Sequence, residues 1–239
     1  MNLLAYLKSL FVKPAPPAAV PVYHYDAEEL WASHVAYLAE KELALPLKKK
    51  RLESFYGDFN TFFYRLDFDE FVRKEFLPAW EPDNPHLQFL NHNHWSTKHP
   101  FNFPGPFYTG ESDTCGTGIW EAPGNVANDS DSCEYVFRQP QNYAAFLDIL
   151  DAAATEVFDS YSANGNDYWT YATCMHWWRN RGDLIMALTR AETLAANDGQ
   201  AQAYLEYLTG DAETDLRRYC YFLENGQYPA DSNTTLPTL

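Results

Sequence analysis

The stretch FPGPFYTGESDTCGTG, residues 103–118 within the longer segment Pro100–Gly118, decides the fold. Its prolines and glycines fix φ angles, remove N–H donors and permit positive φ too often for a helix or a regular strand to continue. Long ordered loops commonly carry function, so we predict a rigid recognition loop. Large aromatic side chains usually pack against something, and this segment holds Phe101, Phe103, Phe107 and Tyr108.

Helical periodicity lies on both sides of this loop. Apolar residues recur at spacings of three and four within residues 23–77 and again within 141–227. Between these blocks Gly, Pro, Asn, Asp and Ser dominate, and the short strand-like runs are Leu87–Leu90, Ile119–Trp120 and Glu134–Arg138. We therefore predict a mostly α (α+β) fold, in which a loop-rich insertion with a small antiparallel sheet lies across one face of a helical domain.

Several boundaries within the helical blocks can be predicted from breakers and turn residues. A first helix is expected to end before Pro46, and a second to open at the basic run Lys48–Arg51. An aromatic-rich stripe over 55–77 should be core. A helix is expected over Tyr143–Phe158, and a turn at Gly182-Asp183 between two later helices.

The sequence predicts a single domain over residues 1–239, organised in five segments. Neither the first segment nor any other run resembles a signal peptide or a bilayer-spanning segment. The segments are an N-terminal helix and Pro-rich spacer (1–22), a helical block (23–77), the insertion (78–140), a second helical block (141–227) and a flexible tail (228–239).

Charge is distributed unevenly along the chain. The 17 basic and 33 acidic residues give a net charge of −16, yet residues 1–74 carry equal numbers of each, so the excess lies in 75–239. Such a field repels nucleic acid and anionic membranes and favours a basic protein partner. Because the four cysteines show no CxxC spacing, we expect reduced thiols in a soluble, cytoplasmic protein, and leave open whether Cys115 and Cys133 pair.

A histidine cluster offers one route to chemistry. His86, His92, His94 and His99 lie close together, and the His-x-His pair would place two imidazoles on one face of a strand, with His99 available as a third metal ligand. A histidine beside Cys115 would instead make a thiol nucleophile. No HExxH pattern is present, and loop histidines often bond backbone groups, so we predict no cofactor.

The acidic residues of the insertion suggest a different use. Carboxylates set among aromatic anchors are typical of an interface that faces a basic partner. The residues predicted to contact such a partner are Tyr108, Glu111, Asp113, Trp120, Glu121, Asp129, Asp131 and Glu134.

The runs NFPGPFYTGESDTCGTG (102–118), EAPGNV (121–126) and EYVFRQP (134–140) together resemble the immunity proteins that accompany bacterial polymorphic toxins. The resemblance implies a non-enzymatic intracellular inhibitor that binds a cognate toxin domain and covers its basic active site. Two alternatives stay open, namely a metal- or thiol-dependent enzyme centred on the His86–His99 cluster and Cys115, and a helical peptide-binding scaffold. The oligomeric state is not predicted.

Overall fold

The structure, a computed structural model, describes residues 27–80, 90, 92–195, 199–229 and 233–239. The chain divides into two compact units, Met1–Ala44 and Leu45–Leu239. Whether residues 1–239 fold as a single domain stays a prediction. The predicted N-terminal helix and spacer, and most of the predicted strand Leu87–Leu90, lie outside the described residues.

The first helical block begins with one long helix rather than two. Helix α1 (Ala27–Tyr56) continues through Pro46 and the basic run Lys48–Arg51, so the predicted break before Pro46 is wrong. The neighbouring Leu, Ala, Glu and Lys residues are strong helix formers, and their summed propensity offsets the cost of about 3 kcal/mol for an interior proline. The block contains α1 (Ala27–Tyr56), α2 (Phe59–Phe63), α3 (Phe68–Phe71), a π-helical turn (Val72–Phe76) and α4 (Leu77–Trp80).

The middle of the chain holds two short antiparallel sheets among the described residues, which confirms the small-sheet prediction. In one sheet Tyr108 of strand β1 (Tyr108–Thr109) lies opposite Ser162 of β4 (Tyr161–Ser162). In the other, Val126 of β2 (Val126–Asn128) lies opposite Val136 of β3 (Glu134–Val136). The elements are a 3₁₀ turn (Trp95–Thr97), β1 (Tyr108–Thr109), helix α5 (Gly118–Glu121), β2 (Val126–Asn128), β3 (Glu134–Val136) and β4 (Tyr161–Ser162).

Two predictions about this region are wrong. Tyr108–Thr109 forms a strand inside the stretch expected to exclude one, because Gly110 and Pro106 fall just outside the two paired residues. Ile119–Trp120 was expected as a strand but lies in α5, whose first amide is held by a buried carboxylate rather than by a neighbouring strand.

The second block supplies the remaining helices, so the mostly helical fold is confirmed. They are α6 (Tyr143–Thr155), a 3₁₀ turn (Gly165–Asp167), α7 (Tyr171–Arg179), α8 (Arg181–Leu188), α9 (Ala191–Ala195), α10 (Gln200–Thr209) and α11 (Ala212–Asn225). The predicted turn at Gly182-Asp183 is wrong, because the chain turns at Asn180 and both residues lie within α8.

The loop of the opening stretch is part of the core rather than a layer across one face. Residues 102–110 are buried without interruption. The ring of Phe107 lies 5.8 Å from that of Phe63, 5.3 Å from Phe68 and 6.0 Å from Phe146, measured between ring centroids. The segment therefore joins the two helical blocks through its aromatic side chains, and the prediction of a surface recognition loop is corrected.

The predicted aromatic stripe is core for the most part. Phe62, Phe63 and Phe76 are buried, whereas Phe55 and Leu66 are 78% and 62% exposed. The stripe spans three helical pieces that are separated by non-helical residues at 57–58 and 64–67, so one helical period does not carry through it.

The end of the chain is ordered, which corrects the predicted flexible tail for residues 233–239. The Tyr171 hydroxyl donates to the Thr238 carbonyl at 2.6 Å, and the Arg217 Nε donates to the Pro237 carbonyl at 2.7 Å. Leu239 packs against the core. Side chains from α7 and α11 thus donate hydrogen bonds to carbonyl groups of this segment, which would bond only water if the segment were a free tail.

Gly165 brings the backbone of the second helical block against that of the central loop. Its N–H donates to the Pro106 carbonyl at 2.9 Å, and a Cβ at this position would collide with the Gly105 carbonyl oxygen. The contact lies between two backbone segments, so no side-chain rotation relieves it.

We expect Gly165→Ala to lower the free energy of unfolding by about 2 kcal/mol or more, since overpacking a buried site forces the backbone apart. Urea denaturation measures the change. Gly124→Ala is the matched control, because nothing lies within 4 Å of its added Cβ, and it should change stability by less than about 0.5 kcal/mol. Equal stability of the two variants would contradict the packing described.

Candidate functional site

The side chain of Asn102 joins the two small sheets. It is fully buried, and its Oδ1 accepts hydrogen bonds from the backbone N–H of Thr109 at 3.1 Å and of Val136 at 2.9 Å. Its Nδ2 donates to the carbonyls of His99 and Thr109 at 2.9 and 2.8 Å. One amide side chain therefore replaces the backbone ladder that the intervening prolines and glycines cannot supply.

Glu134 occupies the centre of the same region. Its Oε1 accepts the N–H of Gly118 at 2.7 Å, and its Oε2 accepts the hydroxyl of Tyr161 at 2.7 Å. The Thr109 hydroxyl donates to the Glu134 carbonyl at 2.7 Å, and the Glu134 N–H donates to the Ser112 Oγ at 2.6 Å. The residue thus ties the middle of the opening loop and the start of α5 to β4.

A second buried carboxylate ends helix α6. Glu156 leaves the helical conformation, and its side chain accepts the N–H groups of Asp113, Phe158 and Ser160 at 2.8, 3.0 and 2.8 Å. These bonds explain why α6 ends at Thr155 and not at Phe158 as predicted. Asp113 in turn accepts the N–H of Val157 at 3.3 Å, so the loop and the helix end are tied together.

Burial sets the protonation behaviour of this network. Loss of water raises the pKa of Glu134, and the carboxylates of Glu156 and Asp113 raise it further against the opposing hydrogen bonds from Tyr161 and Gly118. Burial likewise raises the pKa of Tyr161 well above its ordinary value, so its hydroxyl stays a donor. The three acids act as acceptors for backbone amides, which is a structural use.

Three of the eight predicted partner contacts are consequently corrected. Tyr108, Asp113 and Glu134 are buried, and a side chain without exposed surface cannot touch a protein docked on the outside. The hydroxyl of Tyr108 donates to the Asn164 Oδ1 at 2.7 Å, and burial raises its pKa to about 12. From the sequence, a loop acid that accepts hydrogen bonds from buried backbone amides looks the same as a loop acid at the surface.

Asp129 is also largely committed to internal bonds. The His99 Nε2 lies 3.1 Å from its Oδ2, and the N–H groups of Asp131 and Cys133 each donate to its Oδ1 at 2.9 Å. Burial raises the pKa of Asp129, but these hydrogen bonds outweigh that effect and lower it. The Phe101 N–H donates to the His99 Nδ1, which makes Nε2–H the donor to Asp129.

The other predicted contacts lie at the surface. Glu111 and Asp131 are exposed, Glu121 is half-buried, and Trp120 on α5 is 71% exposed. Burial first, and then the carboxylates of Asp129, Asp131 and Glu111, raise the pKa of the Cys133 thiol. Glu111, Glu121, Asp131 and Trp120 are therefore accessible, and their role as partner contacts stays a prediction.

Two apolar residues that the periodicity predicts within a helix are exposed, and their backbone amides bond the carboxylates of Asp113 and Glu156. Val157 and Phe158 are 72% and 67% exposed. The Asp113 carboxylate bonds both the Cys115 N–H, at 2.7 Å, and the Val157 N–H, which brings the exposed Thr114-Cys115 segment next to them. The sequence carries no Gly or Pro after Thr155 that would have signalled the early helix end.

We name this region the Asp113 patch. It is defined by exposed or half-exposed residues that flank the buried carboxylates of Asp113 and Glu156 and is bordered by α5, which packs on α6. Its members are Glu111, Thr114, Cys115, Trp120, Val157, Phe158 and Asp159.

The histidines do not converge on one point. The His92 Nε2 lies 3.9 Å from an Asp159 carboxylate oxygen, and the His94 Nε2 lies 2.8 Å from the Asp159 carbonyl, whereas His99 is bound to Asp129. Across the described residues no group of three or more His, Cys, Asp or Glu side chains is arranged to hold a metal ion. His86 lies outside those residues.

The cysteines are free thiols, so Cys115 and Cys133 are not paired with each other. Cys115 is exposed, and the Asp113 carboxylate beside it raises the pKa of its thiol. A raised pKa reduces the thiolate fraction at neutral pH, which is opposite to the activation that a nucleophilic cysteine needs. This geometry gives the thiol-dependent alternative no support.

Comparison with known proteins adds no further identification, since no protein-family model, curated protein or solved structure matches the chain. In the part of the chain that the structure describes, no helix combines the length and the apolar character required to cross a bilayer.

The buried carboxylate of Glu134 makes a signed prediction about pH. Its pKa is raised in the folded state, so the folded protein binds this proton more tightly than the unfolded chain does. The stability associated with the group is therefore present below the unfolded pKa and is lost as the pH rises through the folded pKa.

We expect Glu134→Gln to remove this loss, because the glutamine Oε1 can still accept the Gly118 N–H and its Nε2 can donate to the Tyr161 hydroxyl. The difference in unfolding free energy, variant minus wild type, should increase from pH 4 to pH 8 in urea titrations. Glu134→Ala, which leaves the Gly118 N–H without its acceptor, should be destabilised by about 2 kcal/mol or more. If the difference in unfolding free energy between Glu134→Gln and the wild type does not change with pH, the account is wrong.

Proposed function

We propose that this protein is a non-enzymatic immunity protein, which binds a toxin domain through the Asp113 patch and covers the basic active site of that toxin. The observation that carries the proposal is the exposure of Val157 and Phe158 on a backbone that two buried carboxylates hold in place. Rigid apolar anchors lose little conformational entropy on binding, which favours affinity.

Charge supports a basic partner. The whole net charge of −16 lies in residues 75–239, and two of the acids, Glu111 and Asp159, belong to the Asp113 patch. Carboxylates at the rim of an interface accelerate association with a cationic surface and select against anionic partners. A toxin that acts on nucleic acid or nucleotides presents such a surface, and carboxylates would then occupy the positions of substrate phosphates.

Trp120 is the third proposed anchor. It is 71% exposed on α5, and the first amide of this four-residue helix is bound by Glu134. Tryptophan is over-represented among the residues that dominate binding energy, because it buries a large area with few rotatable bonds. The runs that resemble immunity proteins flank Trp120, because one ends at Gly118 and the next begins at Glu121.

The direct test mixes the purified chain with the toxin domain encoded beside its gene. We expect a complex by size-exclusion chromatography and calorimetry at low salt, inhibition of the toxin, and an affinity that falls as salt screens the charges. Absence of a complex at low salt would contradict the proposed function.

Substitutions assign the surface. Phe158→Ala and Trp120→Ala should each weaken toxin binding by roughly tenfold or more, the usual effect of truncating an anchor residue. Met186→Ala is the matched control, because Met186 is 62% exposed on α8, outside the Asp113 patch, and its variant should bind as the wild type does. A complex that tolerates both anchor variants would show that a different surface is used.

A further inference from the structure

A cavity of about 460 Å³ lies between the loop before Phe101 and helices α7 and α8, where the Asp113 patch does not reach. Its volume falls within the range of small-ligand pockets, roughly 300–1,000 Å³. The residues of its wall that matter for recognition are aromatic or cationic: Trp95, Lys98, Trp169, His176, Trp177 and Arg181.

Lys98 is the first sign of a ligand. Its ammonium lies 5.3 Å from the ring centroid of Trp95 and 5.0 Å from that of Trp169. No carboxylate of the described residues forms an ion pair with it, and burial lowers its pKa without an opposing acid. A partly desolvated cation in a protein is ordinarily matched by an anion.

Arg181 places a second positive charge at the same cavity. Its guanidinium stacks 4.0 Å from the ring centroid of Trp178, and its Nη1 donates to the Trp178 carbonyl at 2.8 Å. These contacts use one face of the guanidinium and one of its N–H donors. The other N–H donors are therefore available to an anion in the cavity. Among the described residues a single carboxylate, that of the exposed Asp183, lines the cavity.

The aromatic wall offers flat surface and an unused polar group. Trp95 stacks on Tyr168 with ring centroids 4.8 Å apart and meets Trp169 edge to face at 5.1 Å. Trp169 is 6% exposed, and its indole N–H has no acceptor among the described residues. Planar rings and alkyl surfaces bind well to such walls, whereas a small inorganic anion alone leaves them unused.

We propose that this cavity binds a small molecule that joins a planar ring to an anionic group, with the ring against the tryptophans and the anion at Lys98 and Arg181. Lysine and arginine both recognise phosphate and carboxylate, so either anion satisfies the site. The inference stands apart from the proposed toxin interface, because it uses none of the residues of the Asp113 patch.

The experiment titrates the full chain with adenosine monophosphate and, separately, with indole-3-acetate, using isothermal calorimetry. We expect saturable binding of at least one probe with a dissociation constant below about 1 mM. Adenosine, which lacks the anion, and inorganic phosphate, which lacks the ring, should each bind at least roughly tenfold more weakly, as loss of a charge-assisted contact predicts.

Lys98→Met keeps the alkyl stem and removes the charge. The affinity for the probe that binds the wild type should fall by roughly tenfold. Lys74→Met is the matched control, because Lys74 is exposed and paired with Glu70, and it should leave binding unchanged. If Lys98→Met does not fold, Arg181→Met takes its place with the same expected weakening. The proposal would be overturned if neither probe bound with a dissociation constant below about 1 mM, or if a folded Lys98→Met or Arg181→Met variant bound the probe as tightly as the wild type.

Discussion

Hydrogen bonds from buried side chains to backbone amides hold the centre of this protein together. Asn102 accepts from the amides of Thr109 and Val136, and Glu134 accepts from the amide of Gly118. A segment rich in proline and glycine has few backbone partners of its own, so these side chains supply the acceptors that a regular sheet would otherwise provide. Without them a buried loop would leave amides unpaired at about 1–3 kcal/mol each.

The same network fixes the backbone beneath the Asp113 patch. Glu156 bonds the amides of Asp113, Phe158 and Ser160, and it thereby ends α6 and turns Val157 and Phe158 outward. The cost of burying Glu134, Asp113 and Glu156 is partly offset, because each carboxylate accepts two or three hydrogen bonds. The proposed function depends on this arrangement, because exposed apolar side chains on a fixed backbone are suited to binding a partner.

Residue patterns predicted the helical blocks and the core role of the aromatic residues. The aromatic stripe that holds Phe62, Phe63 and Phe76 was predicted as core, and the spacing of Tyr143, Phe146 and Leu150 indicated a buried helix face; all six residues are buried. The burial of Phe107 followed from its size. Such signals are local, since they depend on neighbouring positions along one element.

The contacts that the sequence did not predict are long-range. Glu134 and Asp113 have the residue type of surface acids, and only the approach of Gly118 and Val157 in three dimensions turns them into buried acceptors. The tryptophan cavity likewise combines Lys98 with α7, which lies about seventy positions further along the chain. The pairing of β1 with β4 escaped prediction for the same reason, because neither two-residue strand has a period of its own.

Native-state hydrogen exchange tests the central claim most directly. The amides of Thr109, Gly118 and Val136 donate to side chains, and we predict that they exchange only through openings close in free energy to global unfolding, as buried core amides do. The amide of the exposed residue Thr114 should exchange much faster. If the amides of Thr109, Gly118 and Val136 exchange as fast as that of Thr114, the side-chain network does not hold the fold, and the account is wrong.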